Sequence, residues 1–86
     1  MKIRFHNNFE KQYRKLRKNE QSQIRERLSL FSKDEFSPIL NNHPLSGKYK
    51  GYRSVNITGD IRALYKYQNP ATCIFVIIDT HSNLYK

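Results

Sequence analysis

Eighty-six residues, 37% of them hydrophobic, supply one small domain over residues 1–86 with a thin core, and exclude a second. Sixteen Lys and Arg against seven Asp and Glu leave a net charge of +9, which favours a polyanionic partner, nucleic acid foremost. A single cysteine, Cys73, excludes a disulfide framework and a cysteine-based zinc site; no apolar run reaches the roughly 18 residues of a membrane span, and no apolar targeting core follows the basic N-terminus, so a soluble cytoplasmic protein is expected.

The first element is a short strand, "KIRF", with Ile3 and Phe5 on one face. Asn7 with Glu10 three residues later has the form of a capping box, and Phe9, Tyr13 and Leu16 then recur at helical spacing. Lys11, Arg14, Lys15 and Lys18 form a cationic stripe on another face of that helix. Ile24, Leu28 and Phe31 predict a second helix, beginning near Asn19 to Ser22 and ending before Pro38, which disfavours helix at Ser37. A loop through "NNHPLSG" precedes the strand "YKGYRSVNI". "TGD" reads as a hairpin turn, with Gly59 suited to the first central position of type II′. The strand "RALYKY", a second turn at "QNPAT" and the final strand "CIFVIID" follow. That last run is apolar on both parities, which places it inside a sheet covered on both faces and makes Cys73 a buried hydrophobe. The order β-α-α-β-β-β predicts an α+β fold, a mainly antiparallel four-stranded sheet with a two-helix hairpin packed on one face.

Four side chains remain once the core is assigned: His43, Asp60, His81 and Tyr85. Taken singly, each has an ordinary role. His43 would bond local backbone beside Pro44, Asp60 would serve a turn, His81 would lie exposed near the terminus, and Tyr85 would pack its ring back on the sheet. Together they match RNA cleavage, which needs a base for a ribose 2′-OH, an acid for the leaving 5′ oxygen, and cations around the phosphate. Lys48, Lys50, Arg53, Arg62 and Lys66 lie close in sequence with Asp60 as the only acid among them, and Tyr49, Tyr52, Tyr65 and Tyr67 interleave as rings on which unpaired bases can stack. No spacing pairs His43, Asp60 and His81 as metal ligands, so no metal and no cofactor is expected.

The segments "HPLSGKYKGYR", "GDIRALYK" and "THSNLY", in that order, resemble the RelE/YafQ-type ribosome-dependent mRNA interferases of bacterial toxin–antitoxin systems, over about the whole chain. The first segment is similar to the YafQ branch in particular; "GDxR…Y" is shared across the superfamily. The resemblance implies a microbial-RNase-like fold that enters the ribosomal A site and cuts mRNA by 2′-OH attack on the adjacent phosphate. It implies active-site roles for His43, Asp60 and His81, and a place at the site for Tyr85. Arg62 follows the RelE and YoeB pattern, in which a cation stabilises the scissile phosphate, whereas Asn56 stands where YafQ-like chains often carry a further histidine.

On this reading His81 is the general acid, Asp60 or His43 takes the 2′-OH proton, and Arg62 holds the phosphate. Tyr85 stacks on or orients the substrate, and Lys48, Lys50, Arg53, Lys11, Lys15 and Lys18 contact RNA. The expected partners are the small ribosomal subunit, mRNA and an acidic antitoxin, with operator DNA met only through the antitoxin and no membrane. ParE-like toxins, which poison gyrase without cutting RNA, and a catalytically inactive nucleic-acid-binding relative are the alternatives. Strand parity leaves open whether Arg62 faces the same side as Asn56, because two-residue and three-residue turns give opposite answers.

Overall fold

In the computed structural model, which describes residues 1–86, the expected order of elements appears with two additions. Strand β1 (Lys2–Phe5) leads into helices α1 (Asn7–Arg14) and α2 (Lys18–Lys33). Strands β2 (His43–Pro44), β3 (Arg53–Asn56), β4 (Ile61–Asn69) and β5 (Thr72–Thr80) come next, and a short helix α3 (His81–Leu84) completes the order. The sheet has five strands rather than four, in the order β1-β5-β4-β3-β2, antiparallel throughout except for the parallel pair β1–β5. The added strand carries His43, in a segment whose sequence reads as loop. Its Pro44 is tolerated because an edge strand has no ladder partner on its outer side for the missing N–H to reach.

Helix α1 begins one residue earlier than the Asn7–Glu10 pattern implies. The His6 amide still donates to the Phe75 carbonyl as the continuation of β1, and its Nδ1 accepts from the Asn8 amide as the helix cap, so the expected box does not form. Helix α2 starts at Lys18, where the Glu20 carboxylate reaches back to the Arg17 amide and guanidinium. This contact lowers the Glu20 pKa, chiefly through the side-chain hydrogen bond from Arg17.

Helices α1 and α2 cover one face of the sheet. Phe9, Ile24, Phe31 and Leu40 meet Val55, Ile61, Ala63, Tyr65, Cys73, Phe75 and Ile78 there. The Phe75 ring is fully buried, 5.2 Å from Phe31 and 5.0 Å from Tyr65. Burial also pushes the Cys73 thiol up to about 11, so it is an inert core residue, as expected.

Two details of β5 shape the rest of the chain. Opposite Leu64 and Tyr65 of β4 lie Ile77 and Phe75, so Val76 is bulged and side-chain parity changes there. The helix face therefore takes Cys73, Phe75 and then Ile78, which is one reason the run reads as apolar on both parities. β1 pairs only with residues 72–75, and beyond it the outer edge of β5 is satisfied by α1. Asn8 Nδ2 donates to the Val76 carbonyl at 2.9 Å, and Gln12 Oε1 accepts from the Ile78 amide at 2.8 Å.

Replacing Phe75 by Ala removes the ring shared by both helices and the sheet. The expected loss is about 3–5 kcal/mol, read as a fall of roughly 1–3 M in the urea midpoint measured by circular dichroism.

Candidate active site

His43, Asn56 and Arg62 lie on the other, open face of the sheet, and hydrogen-bond register puts them there. Asn56 of β3 pairs with Arg62 of β4, so the two side chains share a face, a point that strand parity alone does not decide. Ala63 and Tyr65 belong to the helix-side core, so Arg62, Leu64 and Lys66 point to the opposite side, which is covered at Leu64 and open at Lys66. His43 of β2 lies opposite Ser54, the neighbour of Leu64 in the register, and is on the open face as well. Asp79 of β5 pairs with Arg62 and completes the row.

Residues 57–60 connect β3 to β4, but not as a type II′ turn. Gly59 lacks the positive φ that this turn requires. Side chains hold the loop instead: Thr58 Oγ1 accepts from the amides of Asp60 at 3.2 Å and Ile61 at 2.9 Å. The Arg62 guanidinium returns to the same loop, with Nη1 donating to the carbonyls of Thr58 (2.9 Å) and Ile61 (3.2 Å) and Nη2 to that of Gly59 (3.4 Å). Those bonds use three of the five N–H groups of an arginine, and the Nε–H and one Nη2 hydrogen remain for an anion.

The terminal helix is tied to this loop. The His81 amide donates to the Asp60 carbonyl at 2.8 Å, so the two candidate proton carriers are joined through backbone. Thr80 Oγ1 caps α3 by accepting from the Asn83 amide, and the Asp79 carboxylate accepts from the Thr80 amide and from Asn83 Nδ2. Leu84 is buried, and α3 packs on β5. These contacts put the His81 ring 4.8 Å from that of Tyr85, which in turn meets Tyr49 at 6.2 Å. Asp79, Thr80 and Asn83 are not among the residues the sequence singles out, although Thr80 three residues before Asn83 is a legible N-cap spacing.

His43 Nδ1 lies 2.7 Å from the Asn41 carbonyl. Since a carbonyl only accepts, Nδ1 carries the hydrogen, and in the neutral ring Nε2 keeps the free lone pair. The local backbone bond expected of a loop histidine thus also sets the tautomer a base requires. Asn56 is half-buried, and its Oδ1 is enclosed without a protein partner beside Arg62.

Other expected contacts divide between the two sides. Lys48, Lys50 and Lys66 are exposed, with Lys48 beside Tyr49 and Lys66 beside Tyr52 on the open side. Arg53 turns to the helix side, where Nε donates to Asn42 Oδ1 and the guanidinium covers Phe36. Lys11 and Lys18 belong to the helical layer; Lys15 lines a cleft of about 290 Å³ with Asp79 and Thr80 at the foot of α3. The tyrosines do not act as one interleaved set: Tyr65 is core, and the Tyr67 hydroxyl donates to Glu35 on the helix side. Burial, with the Glu35 bond second, raises the Tyr67 pKa. A larger cleft of about 440 Å³, lined by Phe5, Phe9, Tyr13, Ile24 and Leu28, carries none of the candidate residues. No cluster of three His, Cys, Asp or Glu side chains has metal-binding geometry, and no helix is long and apolar enough to cross a membrane.

Solved structures with this architecture define its class. A YoeB/ParE toxin from Agrobacterium tumefaciens is similar with a TM-score of 0.75 at 19% identity, covering 94% of this chain and 99% of its own. YafQ from Escherichia coli strain BL21(DE3) has a TM-score of 0.73 at 22% identity, covering 98% of this chain and 97% of its own. The toxin–antitoxin complex RelBE2 from Mycobacterium tuberculosis matches with a TM-score of 0.63 at 22% identity over 93% of this chain and 96% of the other. The fold is therefore that of the RelE, YoeB and YafQ toxins. A family model described as the bacterial toxin of type II toxin–antitoxin system, YafQ, matches residues 1–86, and the chain belongs to that family. No curated protein sequence matches.

Because Thr80 Oγ1 caps α3, Thr80→Val should free the terminal helix and leave the sheet intact. An N-cap contributes about 1 kcal/mol, so amide hydrogen exchange at Asn83 to Tyr85 should quicken about fivefold while core amides of β5 keep their protection.

Proposed function

We propose that this protein is an endoribonuclease that cleaves mRNA in the ribosomal A site by metal-independent attack of a ribose 2′-OH, and that a cognate antitoxin neutralises it. The observation that carries the reading is the assembly of His43, Arg62 and the loop-bound His81 on one face by strand register and the His81–Asp60 backbone bond.

In this mechanism His43 Nε2 takes the proton of the 2′-OH as that oxygen bonds to phosphorus. The bond to the 5′ oxygen breaks, protonated His81 supplies that oxygen's hydrogen, and a 2′,3′-cyclic phosphate remains on the upstream fragment. The free N–H groups of Arg62 receive the charge that builds on the phosphoryl oxygens. Asp60 anchors α3 through its carbonyl; Tyr85 supports the nucleobase next to the scissile phosphate. Asn56 cannot exchange a proton, which leaves His43 as the base on the strand side. The ribosome supplies the placement of the RNA, a contribution as large as that of the side chains.

Primer extension on a translated mRNA, with programmed ribosomes, tests the assignments. His81→Ala and His43→Gln should each lower codon-registered cleavage by about two to four decades with folding retained, and Asp60→Asn by much less. Wild-type cleavage by His81→Ala would overturn the acid, and a larger loss for Asp60→Asn than for His43→Gln would move the base to Asp60. Growth arrest without cuts from any form would point to a different target such as gyrase.

The excess of sixteen basic over seven acidic residues supports an acidic antitoxin segment as the neutralising partner. Affinity for the cognate antitoxin should fall steadily between 50 mM and 500 mM salt by about tenfold or more; an unchanged affinity would mean an interface that is mainly apolar.

A further inference from the structure

The six tyrosines separate by what their hydroxyls do. On the helix side Tyr13 accepts from Arg25, Tyr65 accepts from Asn42, and Tyr67 donates to Glu35. On the open side the hydroxyls of Tyr49, Tyr52 and Tyr85 bond no protein group, and what these residues offer a ligand is their rings. The rings form one continuous row from the site outward: His81 to Tyr85 at 4.8 Å, Tyr85 to Tyr49 at 6.2 Å and Tyr49 to Tyr52 at 6.5 Å, the last two edge to face.

The row is held by a local backbone turn and flanked by cations. Gly47 and Gly51, both at positive φ, fold the segment between β2 and β3 into a turn in which the Tyr52 amide bonds the Tyr49 carbonyl. Lys48 Nζ lies 5.2 Å from the Tyr49 centroid and Lys66 Nζ 5.4 Å from that of Tyr52, and neither lysine is in an ion pair. An exposed ammonium over a ring is weakly held and yields the face to a base, after which it is free to meet the base's phosphate.

We propose that Tyr49 and Tyr52, with Lys48 and Lys66, form a second base-stacking subsite for single-stranded RNA, holding nucleotides that flank the scissile one at Tyr85. The proposal rests on the endoribonuclease reading and extends it to how substrate is held. It also separates the tyrosines that meet RNA from Tyr65 and Tyr67, which do not.

The test titrates the full chain with 2′-O-methyl RNA of two and of six nucleotides, which lacks the attacking hydroxyl and is read by binding alone. The wild-type protein should bind the longer probe more tightly, and the double variant Tyr49→Leu, Tyr52→Leu should lose about tenfold or more of that affinity while binding the dinucleotide as before. The matching Phe double variant should keep both affinities, since the rings remain. A folded Leu variant with undiminished affinity for the longer probe would overturn the subsite. If the Leu variant does not fold, the ring protons of Tyr49 and Tyr52 in the wild-type protein decide: upfield shifts on binding support stacking, and unchanged shifts overturn it. Failure of the two proposals is distinguishable. Cleavage that survives His81→Ala removes the enzyme reading but leaves the binding result standing, whereas His81-dependent cuts without the length-dependent affinity remove only the subsite.

Discussion

The whole molecule hangs on β5. It is hydrogen-bonded on both sides, to β1 in parallel and to β4 antiparallel, and it is covered by helices on one face. A strand held in this way has no slack, so the residues C-terminal to it are aimed. The Val76 bulge turns Asp79 to the open face, where it opposes Arg62 and accepts from Asn83. Two residues further on, His81 is fixed to the Asp60 loop by its own amide. The placement of a candidate general acid on a helix of only four residues is thereby made compatible with geometric control.

The sheet keeps two chemistries apart. Toward the helices, polar side chains among the apolar ones are saturated: Asn42 alone links Glu35, Tyr65 and Arg53. Toward solvent, the open face keeps groups with unused capacity, including part of the Arg62 guanidinium and three tyrosine hydroxyls. Saturated groups stabilise, and unsaturated ones on a rigid frame are what a ligand can use. Arg53 and Arg62 illustrate the division, since the same residue type serves the fold in one register position and faces the site in another.

Much of this is legible in the residues. The helical spacing of Phe9 and Tyr13, the apolar run from Cys73 and the signals around Pro38 lead to the correct order of elements, because each reflects a local preference that tertiary contacts reinforce. The motif residues His43, Arg62, His81 and Tyr85 do share one face, with the Asp60 loop joined to its edge. The features that stay hidden depend on contacts distant in sequence. His6 displaces Asn7 as a cap because Phe75 still holds its amide, and Thr58 and Arg62 rather than Gly59 form the β3–β4 turn. The two-residue strand at His43 exists only because β3 is there to pair with it, and Arg53 reads as a phosphate contact because nothing local reveals that it answers to Asn42.

The parallel pairing of β1 with β5 has a kinetic meaning. Lys2 meets Thr72, so the sheet closes only when segments seventy residues apart have found one another, and the loop-closure entropy must be met before most of the core forms. The helical hairpin that lies between them has its apolar side pressed on β5 and little to bury against without it. Folding is thus expected to be slow for the chain's size and all-or-none. A chain lacking the docked strand would also lack His81 in register, and so the candidate site and the finished fold would come into being in the same event.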